Sequence, residues 1–109
     1  MTVDIDECPG ERIVLRLRGE FDLSAETTFG RTVVEALRSS PRALVVDLAG
    51  VTFMDSTGLR ALVVAQQMAV GRGCRVALRR ASEPVRRPLE LARLLDLFEI
   101  EDDGTGSEP

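Results

Sequence analysis

Residues 51 to 62 read Val-Thr-Phe-Met-Asp-Ser-Thr-Gly-Leu-Arg-Ala-Leu. An apolar run from Ala43 to Leu48 precedes them and apolar residues at helical spacing follow, which predicts a corner where a buried strand passes into a helix. The first turn of a helix has backbone N–H groups without intrahelical partners, and the positive end of the helix dipole lies there. The hydroxyl of Ser56 therefore either caps this helix or carries a negatively charged group that the helix end tolerates.

Three consecutive residues at this corner, Asp55, Ser56 and Thr57, are of types that cap helices. One helix needs one cap, worth ~1 kcal/mol, and helix statistics alone assign the Ser56 hydroxyl to that role. The surplus of capping groups is the reason to consider a second role. Gly58 lacks a Cβ, and we expect it to expose backbone beside the hydroxyl so that another protein can approach. The residues alone do not separate Ser56 from Thr57.

Length and composition predict one domain with an aliphatic core. The chain has 109 residues, of which 44% are hydrophobic, with no Trp or Tyr and four Phe. Its formal charge is −4, from 18 acids against 14 arginines, with no lysine. Residues 101 to 109 carry four acids and no arginine, so we expect an acidic, disordered tail after a domain of residues 1 to 100.

The charges are unevenly distributed along the domain. Residues 1 to 58 carry ten acids and six arginines, whereas residues 59 to 100 carry four acids and eight arginines. An acidic half around the corner suits a basic protein partner and disfavours the phosphate backbone of nucleic acid. Arg86 and Arg87 in the basic half are most simply explained as a solvated helix face.

The sequence also carries signals for cellular location. Met1 to Asp4 show neither a basic leader nor an apolar run, and no apolar stretch approaches the length of a membrane span. We therefore expect a cytoplasmic protein without a signal peptide and without membrane insertion. Cys8 and Cys74 are far apart, form no CxxC motif and are expected to be reduced.

Hydrophobic periodicity predicts the order β-β-α-β-α-β-α-β. This order is typical of an α/β fold in which helices pack against a mixed sheet of four to five strands. The predicted features are a strand from Val3, a turn at residues 8 to 11, a strand at residues 13 to 17, a helix from about Ala25 to Arg38 with Ser24 as N-cap, a strand at residues 43 to 48, a helix from about Thr57 to Val70, a strand at residues 76 to 78, a helix after Ser82 and a strand at residues 98 to 100. Pro88 falls in the second turn of the last helix, where it removes a hydrogen bond.

The absence of two residue types excludes much chemistry. Without histidine, a Ser-His-Asp triad and most zinc sites are excluded, and without lysine so are a Walker loop and a Schiff base. We therefore predict no metal, no cofactor and no catalytic residue. A small enzyme that uses the carboxylates of Asp22 and Asp55 stays open as a minor alternative, although the chain lacks aromatic residues to line a sugar site.

The segment from Phe53 to Leu59, preceded by Gly19-Glu20-Phe21-Asp22 and by the apolar strand ending in Asp47, resembles the STAS domain of bacterial anti-sigma factor antagonists. The resemblance covers roughly residues 3 to 100. In that family the serine directly after the aspartate is phosphorylated by a serine kinase that is itself the anti-sigma factor. The resemblance implies that Ser56 is the phosphoacceptor, and that the unphosphorylated protein binds the anti-sigma factor and releases the sigma factor. It implies that Asp22, Asp55 and Thr57 form the surrounding surface. With the neighbouring residues added, we expect a partner-binding surface made of Glu20, Asp22, Ser24, Asp55, Ser56, Thr57, Gly58 and Arg60.

The resemblance also allows a phosphoserine phosphatase as a second partner, and it is compatible with a monomer or weak dimer. The alternative is a STAS interaction subunit of a larger assembly, such as a lipid-transport ATPase or a stress-sensing complex, without a phosphoswitch. Three residues depart from the family pattern. Many relatives have Gly where this chain has Arg60, and they often have an aliphatic residue and a Gly where Pro88 and Arg93 stand.

Overall fold

The computed structural model describes residues 1–8 and 11–101 and shows the predicted α/β architecture. Pro9 and Gly10 of the predicted turn, and residues 102 to 109 of the predicted tail, lie outside the described residues. Glu101, expected in the tail, is instead the last residue of a strand. The elements are β1 (Thr2–Cys8), β2 (Arg12–Phe21), α1 (Leu23–Leu37), β3 (Ala43–Met54), α2 (Ser56–Val70), β4 (Arg75–Arg79), α3 (Glu83–Leu91), a 3-10 turn (Leu95–Leu97) and β5 (Glu99–Glu101).

The five strands form one mixed sheet in the order β1-β2-β3-β4-β5. β1 and β2 are the predicted antiparallel hairpin, and every other neighbouring pair is parallel. Because β2 and β3 are parallel, their carboxyl ends lie at the same edge, where Phe21 is paired with Met54. Each of these two strands is followed at once by a helix, so the starts of α1 and α2 lie at this edge.

The main core lies between the helices and one face of the sheet. It combines alternate residues of the central strands with the inward stripes of the three helices. The rings of Phe21 and Phe29 meet edge to face inside it, with centroids 4.9 Å apart. This aromatic pair packs the middle of α1 against the end of β2.

The opposite face of the sheet has a small apolar cluster of Val14, Val45 and Ala77. On the same side by strand alternation, the Glu101 carboxylate accepts hydrogen bonds of 2.8 Å from Arg12 and 2.7 Å from Arg79. Burial alone would raise the pKa of Glu101, but these two arginines together lower it. The contacts attach the short strand β5 to the rest of the sheet.

β3 is longer than the predicted strand of residues 43 to 48, because it continues to Met54. Its pairing with β2 shifts register twice, once between Arg16 and Arg18 and again between Gly19 and Glu20. Such bulges interrupt the period-2 alternation by which a strand is recognised in a sequence. The predicted strand followed the continuous apolar run and therefore stopped at Leu48, before the bulged part of β3.

The last helix forms in spite of Pro88, which lies inside α3. Pro84 stands near the helix start, where proline is tolerated because the N–H it lacks has no intrahelical partner there. Arg93 has φ +58° just after the helix, and the Leu94 N–H bonds to the Leu89 carbonyl at 2.9 Å. Helices often end in this way, with one residue in the left-handed conformation, and that residue is usually glycine. Here Arg93 takes the position.

Candidate functional site

The ends of β2 and β3 bring two helix starts side by side. The Asp55 N–H donates to the Phe21 carbonyl at 3.4 Å, and Phe21 is followed by Asp22. Asp22 is the N-cap of α1 and Asp55 is the N-cap of α2. We call these two helix starts the α1 corner and the α2 corner. Together they form an acidic edge of the sheet, as the sequence predicted for Asp22 and Asp55.

At the α2 corner Asp55 provides the cap. Its Oδ1 accepts hydrogen bonds from the backbone N–H groups of Thr57 at 2.9 Å and Gly58 at 3.1 Å. Ser56 follows as the first helical residue, and its side chain is exposed. Among the described residues, no hydrogen bond involves the Ser56 hydroxyl. Asp55, and not Ser56, is therefore the cap of α2.

At the α1 corner the prediction that Ser24 is the N-cap was wrong. Asp22 has the extended backbone of a cap, with φ −125° and ψ −167°, and α1 begins at Leu23. The Asp22 Oδ1 accepts from the Ser24 backbone N–H at 3.0 Å and from the Ser24 hydroxyl at 2.6 Å. Asp and Ser are about equally good caps. The first of the two takes the position here because the helix starts directly after β2.

The hydroxyl of Ser24 affects the acidity of its neighbour. Its hydrogen bond to the carboxylate is the main reason that the pKa of Asp22 lies below its ordinary value, with the backbone N–H of Ser24 adding to the effect. Asp22 is therefore ionised at neutral pH. The α1 corner has a charged cap and a hydroxyl that is already engaged.

Gly58 has a different role from the one expected. It is buried, and a Cβ on it would lie 2.6 Å from the Phe21 carbonyl oxygen and 2.9 Å from the Met54 side chain. Distances below 3.0 Å require some atom to move. The absence of a side chain at Gly58 therefore lets α2 begin close against the end of β2, so the close approach is internal to this chain.

The other predicted site residues lie around this edge. Glu20 is exposed and paired with Phe53 across the two strands. Thr57 is half-buried in the first turn of α2, and Arg60 is exposed one turn after Ser56. The structure thus brings the predicted residues to one edge of the sheet, with Gly58 beneath the surface.

Sequence analysis missed two apolar residues at this edge. Leu23, directly after the Asp22 cap, is 70% exposed, and Phe53, two residues before the Asp55 cap, is 48% exposed. Exposed large apolar side chains beside charged groups are typical of protein interaction sites. No signal in the sequence marked Leu23, because the helix was predicted to begin at Ala25, after a Ser24 cap.

The described residues offer no cluster of three or more His, Cys, Asp or Glu side chains placed to hold a metal ion. Cys74 is buried, and burial raises the pKa of its thiol. In this part of the chain, none of the helices combines the length and the apolar character needed to cross a membrane. The chemistry available at the edge is therefore that of the two carboxylates, the hydroxyls and Arg60.

The chain combines a mixed sheet with two aspartate-capped helices that start at one edge, the second through an Asp-Ser-Thr-Gly corner. These features define a small α/β domain. The family model described as Mlab, STAS domain matches residues 6–99. The chain therefore belongs to the STAS domain family, which confirms the resemblance drawn from the sequence.

Two curated relatives and one solved structure illustrate this membership. A STAS-domain containing protein of Pseudomonas aeruginosa is 32% identical over 91 residues, covering 84% of this chain and 89% of the relative. The anti-sigma-F factor antagonist RsfB of Mycobacterium tuberculosis is 30% identical over 87 residues, covering 80% and 70%. The crystal structure of an anti-sigma factor antagonist from Mycobacterium paratuberculosis superposes with a TM-score of 0.81 at 25% identity, covering 91% of this chain and 83% of that one.

Proposed function

We propose that this protein is a cytoplasmic anti-sigma factor antagonist controlled by phosphorylation of Ser56. In the unphosphorylated form it binds an anti-sigma factor that has serine kinase activity, and the sigma factor is released. Phosphorylation of Ser56 by that kinase ends the binding, and a phosphoserine phosphatase restores it. The antagonist names of two similar proteins support the choice of partner.

The observation that carries the proposal is the free hydroxyl at the α2 corner. Asp55 Oδ1 already accepts from the Thr57 and Gly58 N–H groups, so the helix does not need Ser56 as a cap. The Ser56 side chain is exposed at the first helical position. A kinase can reach this oxygen without unfolding the helix, and a phosphate added there breaks no hydrogen bond between the described residues.

The surface around Ser56 is suited to a protein partner. Leu23 and Phe53 offer exposed apolar area, and Glu20, Asp22 and Asp55 supply negative charge. Apolar anchors surrounded by charged groups are the usual composition of a specific interface. A partner with a basic rim around an apolar centre would match this surface.

The magnitudes favour a switch that acts on binding and leaves the fold unchanged. A phosphate adds roughly −1.5 to −2 charges, which the helix dipole favours by ~0.3–1 kcal/mol and the neighbouring carboxylates oppose through solvent. These effects largely cancel in the free protein. Enclosing the same phosphate in a fitted interface without new cations costs several kcal/mol. Each 1.4 kcal/mol is roughly tenfold in affinity, so binding is the quantity that changes.

The test begins with a pull-down from the native cytoplasm, using wild type and Ser56→Asp side by side. The captured kinase is then purified, incubated with the protein and ATP, and the phosphate is located by mass spectrometry. We expect modification at Ser56, and at least a ~100-fold weaker affinity of Ser56→Asp for the kinase, because the added charge lies inside the interface.

Two matched variants accompany this test. Ser56→Ala should bind about as well as wild type and take up no phosphate, since it removes the acceptor without adding charge. Ser24→Asp adds the same charge at the α1 corner and should weaken binding less. A Ser56→Asp protein that still captures the kinase as well as wild type would overturn the proposal, and so would a phosphate mapped to Thr57.

A second candidate is a STAS interaction subunit of a larger assembly without a phosphoswitch. The exposed Leu23 and Phe53 fit a permanent interface as well as a switched one. The same phosphate mapping separates the two functions. A stable complex that forms equally with wild type and Ser56→Asp, and never becomes phosphorylated, would favour this subunit.

A further inference from the structure

We propose that Arg60 binds the phosphate on Ser56 within the same chain. This inference rests on the proposed function, because it requires phosphoserine at position 56, and it adds a role for one of the three residues that depart from the family pattern. Arg60 lies on α2 four residues after Ser56 and is exposed. Its guanidinium would supply the positive charge that the acidic edge around Ser56 otherwise lacks.

The helix geometry places the two side chains together. Residues four apart on an α-helix are neighbours, with Cβ atoms about 5–6 Å from each other. The Cα–Cβ bonds of a helix tilt toward its N-terminus, so a long side chain at position 60 leans back toward position 56. The planar guanidinium can then donate two N–H groups to the phosphate oxygens.

Arg60 is available for this contact. The ion pairs between described residues use other arginines. Arg60 has no carboxylate partner within the part of the chain that the structure describes, and it shares this property with Arg31, Arg72 and Arg93. Of these four, only Arg60 lies within one helical turn of Ser56, so the contact with phosphate would break no existing ion pair.

Most backbone N–H groups in the first turn of α2 already have acceptors, so few of them are left to bind the phosphate. The Thr57 and Gly58 N–H groups already donate to the Asp55 carboxylate, and the Leu59 N–H donates to the Asp55 carbonyl at 3.0 Å. A phosphate on Ser56 would also lie beside Asp55, whose charge opposes its second ionisation. Arg60 therefore opposes this repulsion and favours the dianion.

The contact has a consequence for regulation. In the unphosphorylated protein, the Arg60 guanidinium is free to meet a carboxylate of the partner. Once Ser56 is phosphorylated, the phosphate engages the same guanidinium within the chain. Phosphorylation then removes a hydroxyl and a cation from the binding surface in one step.

The experiment uses the full chain with phosphoserine incorporated at position 56 during synthesis, so that no kinase is needed. The second ionisation of the phosphate, with a pKa of ~6 in the absence of perturbation, is followed by phosphorus NMR. Arg60→Gln is expected to raise this pKa by about half a unit relative to wild type, because it removes the cation that favours the dianion. This is the size expected for an ion pair four residues apart on a helix when one partner is divalent. The difference should shrink in high salt, because the pair is exposed.

Two further variants make the result specific. Arg60→Lys retains the charge and should restore most of the wild-type pKa. Arg72→Gln removes the same charge more than about 20 Å away, past the other end of α2, and should leave the pKa unchanged. Equal phosphate pKa values in wild type and Arg60→Gln would overturn the proposal, as would an equal shift from Arg72→Gln. Failure of the proposed function, with no kinase that modifies Ser56, would leave this measurement unaffected.

Discussion

The α1 and α2 corners are built on the same plan and differ in whether a hydroxyl bonds to the cap. Each helix starts directly after a strand, and each is capped by an aspartate whose Oδ1 accepts the N–H group two residues later. At the α1 corner that second residue is Ser24, and its hydroxyl donates to the Asp22 cap. At the α2 corner the second residue is Thr57, and among the described residues neither its hydroxyl nor that of Ser56 makes a hydrogen bond. One corner therefore holds its hydroxyl at the cap, whereas the other leaves both of its hydroxyls free.

The third position after each cap shows a second difference. Ala25 is buried at the α1 corner, and Gly58 is buried at the α2 corner. The α2 corner is the tighter of the two, because Gly58 lies where a Cβ would overlap the Phe21 carbonyl. Tight packing beneath Ser56 holds the first turn of α2 in place while its outer surface stays open. This rigidity is compatible with the proposed recognition of Ser56 by a kinase.

The largest effect that we predict on folding comes from filling this tight space. Gly58→Ala should lower the free energy of unfolding by about 2 kcal/mol, because forcing a methyl group into a packed site costs about 1–3 kcal/mol and exceeds the helix preference of Ala over Gly. The measurement is chemical denaturation of wild type and variant.

The matched control for Gly58→Ala is Gly30→Ala, the same substitution inside α1. A Cβ at Gly30 has nothing within 4 Å, so packing does not require glycine there. We expect Gly30→Ala to stabilise the protein by up to about 1 kcal/mol, the ordinary helix preference. If both variants were stabilised alike, the α2 corner would not be the tight one.

The next effect separates the two caps. Asp55 Oδ1 accepts two backbone N–H groups, whereas Asp22 Oδ1 accepts one. Asp55→Ala should lower the free energy of unfolding by ~1 kcal/mol, the usual value of an N-cap, and Asp22→Ala should lower it less. Thermal and chemical denaturation of the two variants test this order, and the reverse order would show that the hydroxyl contact of Ser24 matters more than the number of backbone bonds.

The sequence was sufficient to predict the element order and the corner at which α2 begins. The continuous apolar run from Leu44 to Val46 indicated a central strand, which the structure buries, and the Asp-Ser-Thr-Gly corner indicated a helix start. The identity of each cap could not be predicted, because Asp and Ser have nearly equal capping preferences and only the end of the preceding strand selects between them. The two bulges in β3 concealed the true end of that strand.

The structural reason for Gly58 was also beyond the sequence. A glycine two residues after a serine suggests an exposed backbone as readily as a buried one, and only the position of the Phe21 carbonyl decides between them. The exposure of Phe53 could not be predicted for a similar reason. The register between β2 and β3 decides which of Phe53 and Met54 enters the core, and that register is seen only in the structure. Residues whose role depends on contacts across the sheet were the ones that pattern analysis misjudged.

The smallest predicted effect concerns the acidity of the α1 cap. The Ser24 hydroxyl helps to keep the pKa of Asp22 below its ordinary value of 3.8. Ser24→Ala should therefore raise the pKa of Asp22 toward 3.8, while Thr57→Ala, at the equivalent position of the α2 corner, should leave it unchanged.

The lowered pKa of Asp22 also makes stability depend on pH. Because the lowered pKa belongs to the folded state, its contribution to stability is present above the unfolded pKa and is lost as the pH falls through the folded pKa. The stability difference between wild type and Ser24→Ala should accordingly shrink below about pH 3.8. Carboxyl carbon NMR of Asp22 across this range measures the shift directly. An unchanged pKa of Asp22 in Ser24→Ala would mean that the Ser24 hydroxyl does not bond to the Asp22 carboxylate in solution.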